Sequence, residues 1–265
     1  MADEPKVLFE RRGPIGHVVL NRPHKLNAID TECVDLIESL VGTIEVDDEV
    51  RVVVVSGRGR AFSAGADLAE VEQAIAEDRF DAFLQRWHRS FGALERCSKP
   101  TIAAVHGFAL AGGFELTQVC DLLVIEENAT IGDQHANFGL FPGGGSTQRL
   151  PRTIGWRQAA WMLLSGESID AGTALDIGLA NVIAPDDQAV EAAEGLAHVL
   201  AQRSVTASAA IKDALHRGRH LELGDALDLE RSIAVPHMKS ADAAAGFSAF
   251  RSRVKPDFGW SPEPA

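Results

Sequence analysis

Apolar residues along the chain follow two rhythms, short runs of strand length and longer stretches with an apolar side chain every third or fourth position. Runs at residues 7–11 and 15–21 flank Gly13-Pro14 and predict a hairpin. From Thr31 the positions Cys33, Leu36, Ile37, Leu40, Val41 and Ile44 form a helical stripe, with Asp30 or Thr31 as its cap. Residues 52–55 are consecutive valines, a strand buried on both faces that ends at Ser56-Gly57-Arg58-Gly59-Arg60. Phe80, Phe83, Leu84, Trp87, Phe91 and Leu94 mark an amphipathic helix, closed off by Lys99-Pro100. The apolar run at residues 101–105 leads into a glycine-rich stretch that takes on helical character over residues 116–120. Beyond Trp156 helical segments are expected at 158–164 and 169–176, and a short strand at 181–183. Only helices follow, at 188–202, 206–217, 221–233 and 241–253.

A chain of 265 residues can bury a substantial core, as one large domain or a domain with an appendage. The formal charge of -13 argues against nucleic acid as a partner, because phosphate binding needs a basic face. No apolar run approaches the roughly 20 residues that cross a bilayer, and Met1-Ala2-Asp3-Glu4 is acidic where a targeting peptide would be basic, so a cytoplasmic location without membrane insertion is expected. Cys33, Cys97 and Cys120 are odd in number and lack metal-ligand spacing, so they read as reduced thiols, with no metal expected.

The stretch from His106 to Leu116 is where chemistry is expected. Paired glycines at a helix start leave backbone N–H groups free at the positive end of the helix, where a developing anion is stabilised, and Gly112 is the donor favoured. Glu115 follows three residues later, on the same side of a helix, so one short segment can hold an anion donor and an acid/base group. Equally, the glycines could serve close packing and Glu115 the helix dipole. Small residues recur at Ala61-Phe62-Ser63-Ala64-Gly65-Ala66-Asp67-Leu68, a second place for backbone amides to approach a ligand. His88 lies beside the amphipathic stripe, as an edge-of-core or a catalytic histidine. The run Gly143 to Thr147 lacks the Gly-Lys-Ser/Thr ending of a phosphate loop.

Four motifs taken together carry a resemblance: Leu20-Asn21-Arg22-Pro23 with Leu26-Asn27-Ala28, the Ala61 to Leu68 segment, Lys99-Pro100 with Gly112-Gly113-Phe114-Glu115, and Pro142-Gly143-Gly144-Gly145-Ser146-Thr147-Gln148-Arg149-Leu150. In order and spacing they resemble the enoyl-CoA hydratase/isomerase (crotonase) family over most of the chain. The resemblance implies an α/β fold, a spiral of ββα units over residues 1–187 with a helical C-terminal oligomerisation region over 188–265. It implies an acyl-CoA thioester as substrate, CoA being the substrate's carrier and no further cofactor being needed, and a homotrimer or dimer of trimers. Ala66 and Gly112 match the two amides that stabilise an enolate. Lys25, Ala28, Ala64, Gly65, Asp67, Leu68, Pro142 and Gly143 match the substrate-binding segments, with Phe250, Arg253 and Lys255 lent to a neighbour's CoA site. Arg22, Arg58 and Arg60 join Lys25 as candidate cations for the polyanionic CoA.

Glu115 matches the first of the family's two catalytic glutamates. The second lies seven residues before the proline of the glycine-rich motif, and that position is His135. Imidazole exchanges protons near neutrality, so His135 is a candidate catalytic partner and an enoyl-CoA hydratase-like activity is expected. Isomerisation, hydrolysis, or binding of a CoA ester without turnover are the alternatives. His88 falls near a catalytic histidine of the family's dehalogenase branch, but no aspartate stands at the corresponding nucleophile position near Gly143.

Overall fold

Consecutive valines suit a strand whose two faces are both covered, and β3 (Val52–Gly57) is such a strand. Val53 and Val55 pack into one hydrophobic cluster while Val52 and Val54 pack into another on the opposite face. The computed structural model describes residues 4–260, so the acidic start at Met1-Ala2-Asp3 lies outside the described residues.

β3 is interior to a six-stranded sheet of order β1-β2-β3-β4-β6-β9, with β1 (Val7–Arg12), β2 (Ile15–Leu20), β4 (Thr101–Val105), β6 (Leu122–Glu126) and β9 (Val182–Ala184). β1 and β2 form the antiparallel hairpin expected around Gly13-Pro14, and every other neighbouring pair is parallel. Helices α1 (Thr31–Glu45) and α3 (Phe80–Arg96) bury their stripes in the cluster on one face. The other face is covered by α8 (Ala189–Ala201), whose Ala189, Ala193, Ala197 and Ala201 recur every fourth position and let the helix lie close to the sheet. Asp30 caps α1, its Oδ1 accepting from Cys33 N at 3.0 Å.

A smaller sheet, β5-β7-β8, holds β5 (Phe108–Leu110), β7 (Thr130–Gly132) and β8 (Ile169–Asp170). Single bridges from Ser63 to Ala109 and from Ile29 to Ala66 extend it towards the N-terminal half. β3 and β4 each continue into an extended segment at the small sheet, residues 63–66 and β5, before the chain enters a helix. The candidate loops at 26–29, 63–67 and 109–112 are thereby laid side by side. No helix among the described residues is long and apolar enough to cross a membrane.

Several local expectations need correction. The helix after the paired glycines, α4 (Gly112–Thr117), ends before Gln118 and the following residues turn into β6. It does not follow β4 directly, because β5 intervenes. Residues 169–170 form β8, with Ile169 paired to Ile131, and only then does α7 (Ala171–Asp176) begin. Strand pairing across the small sheet overrides the local helical pattern there. Unanticipated elements are α2 (Leu68–Ala76), β5, β6, β7 and α5 (Ser146–Ile154). α6 (Trp156–Ser165), α9 (Val205–Gly218), α10 (Leu223–His237) and α11 (Ala241–Ser252) fall close to their expected places.

Candidate active site

The junction between β5 and α4 is held open by an unusual backbone. Ala111 has φ 47° and ψ -122°, a conformation that costs a non-glycine residue about 1–3 kcal/mol and turns the chain sharply into Gly112. The Ala111 amide is bonded to Gly132 O at 3.0 Å and the Glu115 amide to Ala111 O at 2.9 Å, whereas the Gly112 N–H has no hydrogen-bond partner among the described residues. The second loop arrives from β3. Ile29 donates to Gly65 O at 2.8 Å and Asp67 donates to Ile29 O at 2.8 Å, so Ala66 N–H, between them, points away from that pairing and is likewise unpartnered among the described residues.

These two amides are neighbours because glycines allow it. A Cβ on Gly112 would lie 3.1 Å from Ala66 N and 2.8 Å from the Trp87 ring. Gly65, at φ 110°, would place a Cβ 2.9 Å from Ala111 Cβ and 3.2 Å from Gly112 N. Both positions are fixed by close approach of backbone to backbone. Ser63 locks the loop from beneath, its hydroxyl donating to Asn27 O at 2.9 Å and accepting from Gly65 N at 3.2 Å.

Glu115 is 2% exposed, three residues into the same helix. Its Oε1 accepts from Ser146 N at 3.2 Å, and the Gly144 amide also faces the carboxylate. Ser146 is the first residue of α5 and Gly144 lies two residues before it, so the Pro142 to Ser146 motif delivers a helix N-terminus to the carboxylate. A side chain at Gly144 would collide with the Glu115 carboxylate, with Cδ only 2.7 Å from a Cβ. Burial pushes the Glu115 carboxyl up to about 7, opposed by the positive charge of His135 and the two amides, and assisted by the charge of Asp133.

His135 lies in a single 3-10 turn (His135–Phe138), its side chain 15% exposed and its Nδ1 2.7 Å from Oδ1 of the fully buried Asp133. Burial works against the imidazolium. The hydrogen bond and charge of Asp133, and then the charge of Glu115, outweigh it and raise His135 above its ordinary value. Glu115 and His135 thus sense each other electrostatically.

The remaining expected residues divide into those at this centre and those elsewhere. Gly143 packs on Leu84, where a Cβ would meet Cδ2 at 2.7 Å, and its carbonyl lies 2.7 Å from His88 Nε2, so His88 braces the Pro142-Gly143 turn. Ala28 O and Asp67 are held by one guanidinium: Arg22 donates to both, and also pairs with Asp30 at 3.2 Å. Arg22 is itself buried, so it is a strap between the 22–28 and 63–67 loops and not a free cation. Lys25 reaches Asp67 Oδ2 at 2.9 Å with its side chain half exposed, and Arg58 pairs with Glu4 and Glu10, while Arg60 is exposed. Ala64 donates to Leu26 O at 3.0 Å, and Leu68 opens α2 with its side chain exposed. Phe250, Arg253 and Lys255 stand exposed at the end of α11, and neither cation bonds to a residue around Glu115 among the described residues. Cys33 and Cys97 are buried and Cys120 partly so, all three free, with burial pushing each thiol up to about 12. No cluster of three His, Cys, Asp or Glu suited to a metal occurs among the described residues.

Sequence reasoning missed Asp133, Gly144 and Ser146. The Gly-Gly-Gly-Ser run preceding a helix was a signal for the last two. Nothing local marked Asp133, since its contact with His135 depends on Gln134 adopting φ 64°.

This chain is similar to known proteins over nearly its whole length. The family model for enoyl-CoA hydratase/isomerase matches residues 10–261. A probable enoyl-CoA hydratase of Mycobacterium bovis is 33% identical over 253 residues, covering 95% of this chain and 97% of the relative. The 2,3-dehydroadipyl-CoA hydratase of Escherichia coli is 37% identical over 257 residues, covering 96% and 98%. The crystal structure of an enoyl-CoA hydratase from Mycobacterium smegmatis superposes with a TM-score of 0.92 at 28% identity, covering 97% of this chain and all of that one. With this coverage by sequence and by structure, the chain belongs to the enoyl-CoA hydratase/isomerase family and has the crotonase fold.

Proposed function

We propose that the protein hydrates an enoyl-CoA thioester, with the Ala66 and Gly112 amides holding the enolate oxygen and Glu115 and His135 exchanging protons. The observation that carries this reading is the pair of unpartnered amides set against each other three residues from a buried carboxyl. Charge moving onto a thioester oxygen is stabilised by donors already in place, each worth about 3 kcal/mol in comparable sites. Glu115, pushed up to about 7, is suited to accept a proton from water, and His135, raised by Asp133, is suited to give one to carbon. Ionised Glu115 beside cationic His135 gives a base and an acid, the division of roles that one ionised and one protonated glutamate would give. The hydratase names of the relatives support addition of water.

Incubation with crotonyl-CoA and identification of the product tests this reading. Formation of a 3-hydroxyacyl-CoA is expected. A shifted double bond, free CoA, or a bound and unchanged ester would replace hydration by isomerisation, hydrolysis or binding alone.

A further inference from the structure

Asp133 has no assigned part in the chemistry, yet its placement is specific. Its carboxylate is fully buried, Oδ1 is 2.7 Å from His135 Nδ1, and Oδ2 has no partner among the described residues. A buried carboxylate without a lysine or arginine is costly, so its partner must carry the compensating proton. The backbone is bent to bring the two together: Gln134 takes φ 64°, His135 N donates to Asp133 O at 2.9 Å, and Gln134 Nε2 is tied to Ser168 Oγ at 2.6 Å. We propose that Asp133 is a positioning residue for the acid/base chemistry: it holds the Nδ1 proton of His135, so that Nε2 is the atom that gives and takes the reacting proton.

This rests on the hydratase reading and deepens it. Glu115 takes a proton from water as the water oxygen bonds to C3. The C2–C3 π pair shifts to C1–C2 and the carbonyl π pair moves onto the thioester oxygen between Ala66 and Gly112. When that pair returns, C2 takes the Nε2 proton of His135. Transfer of the proton from Glu115 back to His135 restores the starting state, so atoms and charges balance. The titratable groups acting on His135 are Asp133 from its own turn and Glu115 from α4. α6, packed on that turn, carries Arg157 as its one charged residue, and the neighbouring contacts, Gly166 O to Asn137 and Ser168 to Gln134, are neutral.

The test combines Asp133→Asn with the pH dependence of turnover and with NMR titration of the His135 ring. Asp133→Asn is expected to lower kcat by about 10-fold or more with KM within about twofold. The alkaline limb of the rate profile and the NMR titration of His135 should both move to lower pH, and Asp133→Glu should restore part of each. In a His135→Ala background the same substitution should cost nothing further. An unmoved His135 titration, or a loss that adds in full to that of His135→Ala, would overturn the proposal. If Asp133→Asn does not fold, the ring nitrogens of the parent decide: Nδ1–H in the neutral form supports the assignment and Nε2–H refutes it. Because the NMR readout needs no turnover, a parent inactive on crotonyl-CoA would count against the hydratase reading while leaving the dyad separately tested.

Discussion

Glu115 stands between opposing influences, a buried pocket that favours the neutral acid and a set of amides and an imidazolium that favour the anion. If it must be ionised to accept a proton, kcat/KM rises with pH through about 7, and the fall at higher pH reports loss of the His135 proton. The two groups interact, so both limbs belong to the pair. A rate independent of pH between about 5.5 and 9 would contradict this assignment. His135 is tested by replacing it: His135→Ala should lose activity strongly while His135→Glu, restoring the family's acid, retains or gains it. An alanine variant as active as the parent would remove His135 from the mechanism. Gly144→Ala addresses the carboxylate's seat, because the added methyl must displace it. Displacements of about 1 Å at a reacting group cost up to about 100-fold, and steady-state kinetics of the folded variant will show whether this one does.

Among the elements, α9 is fastened to the sheet by a polar cluster. Asp121 accepts from Thr101 N at 2.8 Å and pairs with Lys212 at 2.6 Å and His216 at 3.1 Å. Against the effect of burial, these partners hold Asp121 below the ordinary carboxylate range. A depressed folded-state value means that the stabilisation is present above the unfolded value of 3.8 and is lost as pH falls below it. Protection from hydrogen exchange in α9, relative to the intrinsic rate at each pH, should therefore fall in the parent below about pH 4 and already at neutral pH in Asp121→Ala. Protection in α9 unchanged by Asp121→Ala would show that the cluster does not anchor it. The helices themselves were largely legible, because Cys33 to Ile44 in α1 and Phe83 to Leu94 in α3 bury the residues that their periodicity selects. The small sheet was not. Its strands are two or three residues long, too short for a period, and they exist through pairing such as Ile131 with Ile169. At the candidate site, the placement of Gly112 and Glu115 on one short helix was legible from spacing, and the approach of Ala66 to Gly112 only from motif resemblance. Arg22 misled because a cation in a polar loop gives no sign that it will be buried against Asp67 and Asp30.

For the molecule as a whole, Trp156, Trp161 and Leu164 of α6, Leu223 and Leu227 of α10 and Phe247 and Phe250 of α11 expose large apolar side chains. A trimer or dimer of trimers, which the family resemblance implies, would be expected to bury apolar surface of this kind. Light scattering should give the mass of three or six chains, and a stable monomer at micromolar concentration would contradict this. Within such an assembly, Arg253→Ala and Lys255→Ala should raise KM for the CoA ester and leave kcat largely intact. A raised kcat-independent KM would place these cations on CoA; unchanged KM in both variants would exclude them. The central claim, that this site adds water to an enoyl thioester through Glu115, is tested most directly by comparing the parent with Glu115→Gln in the hydration of crotonyl-CoA. The parent should form the 3-hydroxy product and Glu115→Gln should lose about 100-fold or more in kcat with CoA-ester binding largely kept. Equal rates of product formation by the two proteins would contradict the account.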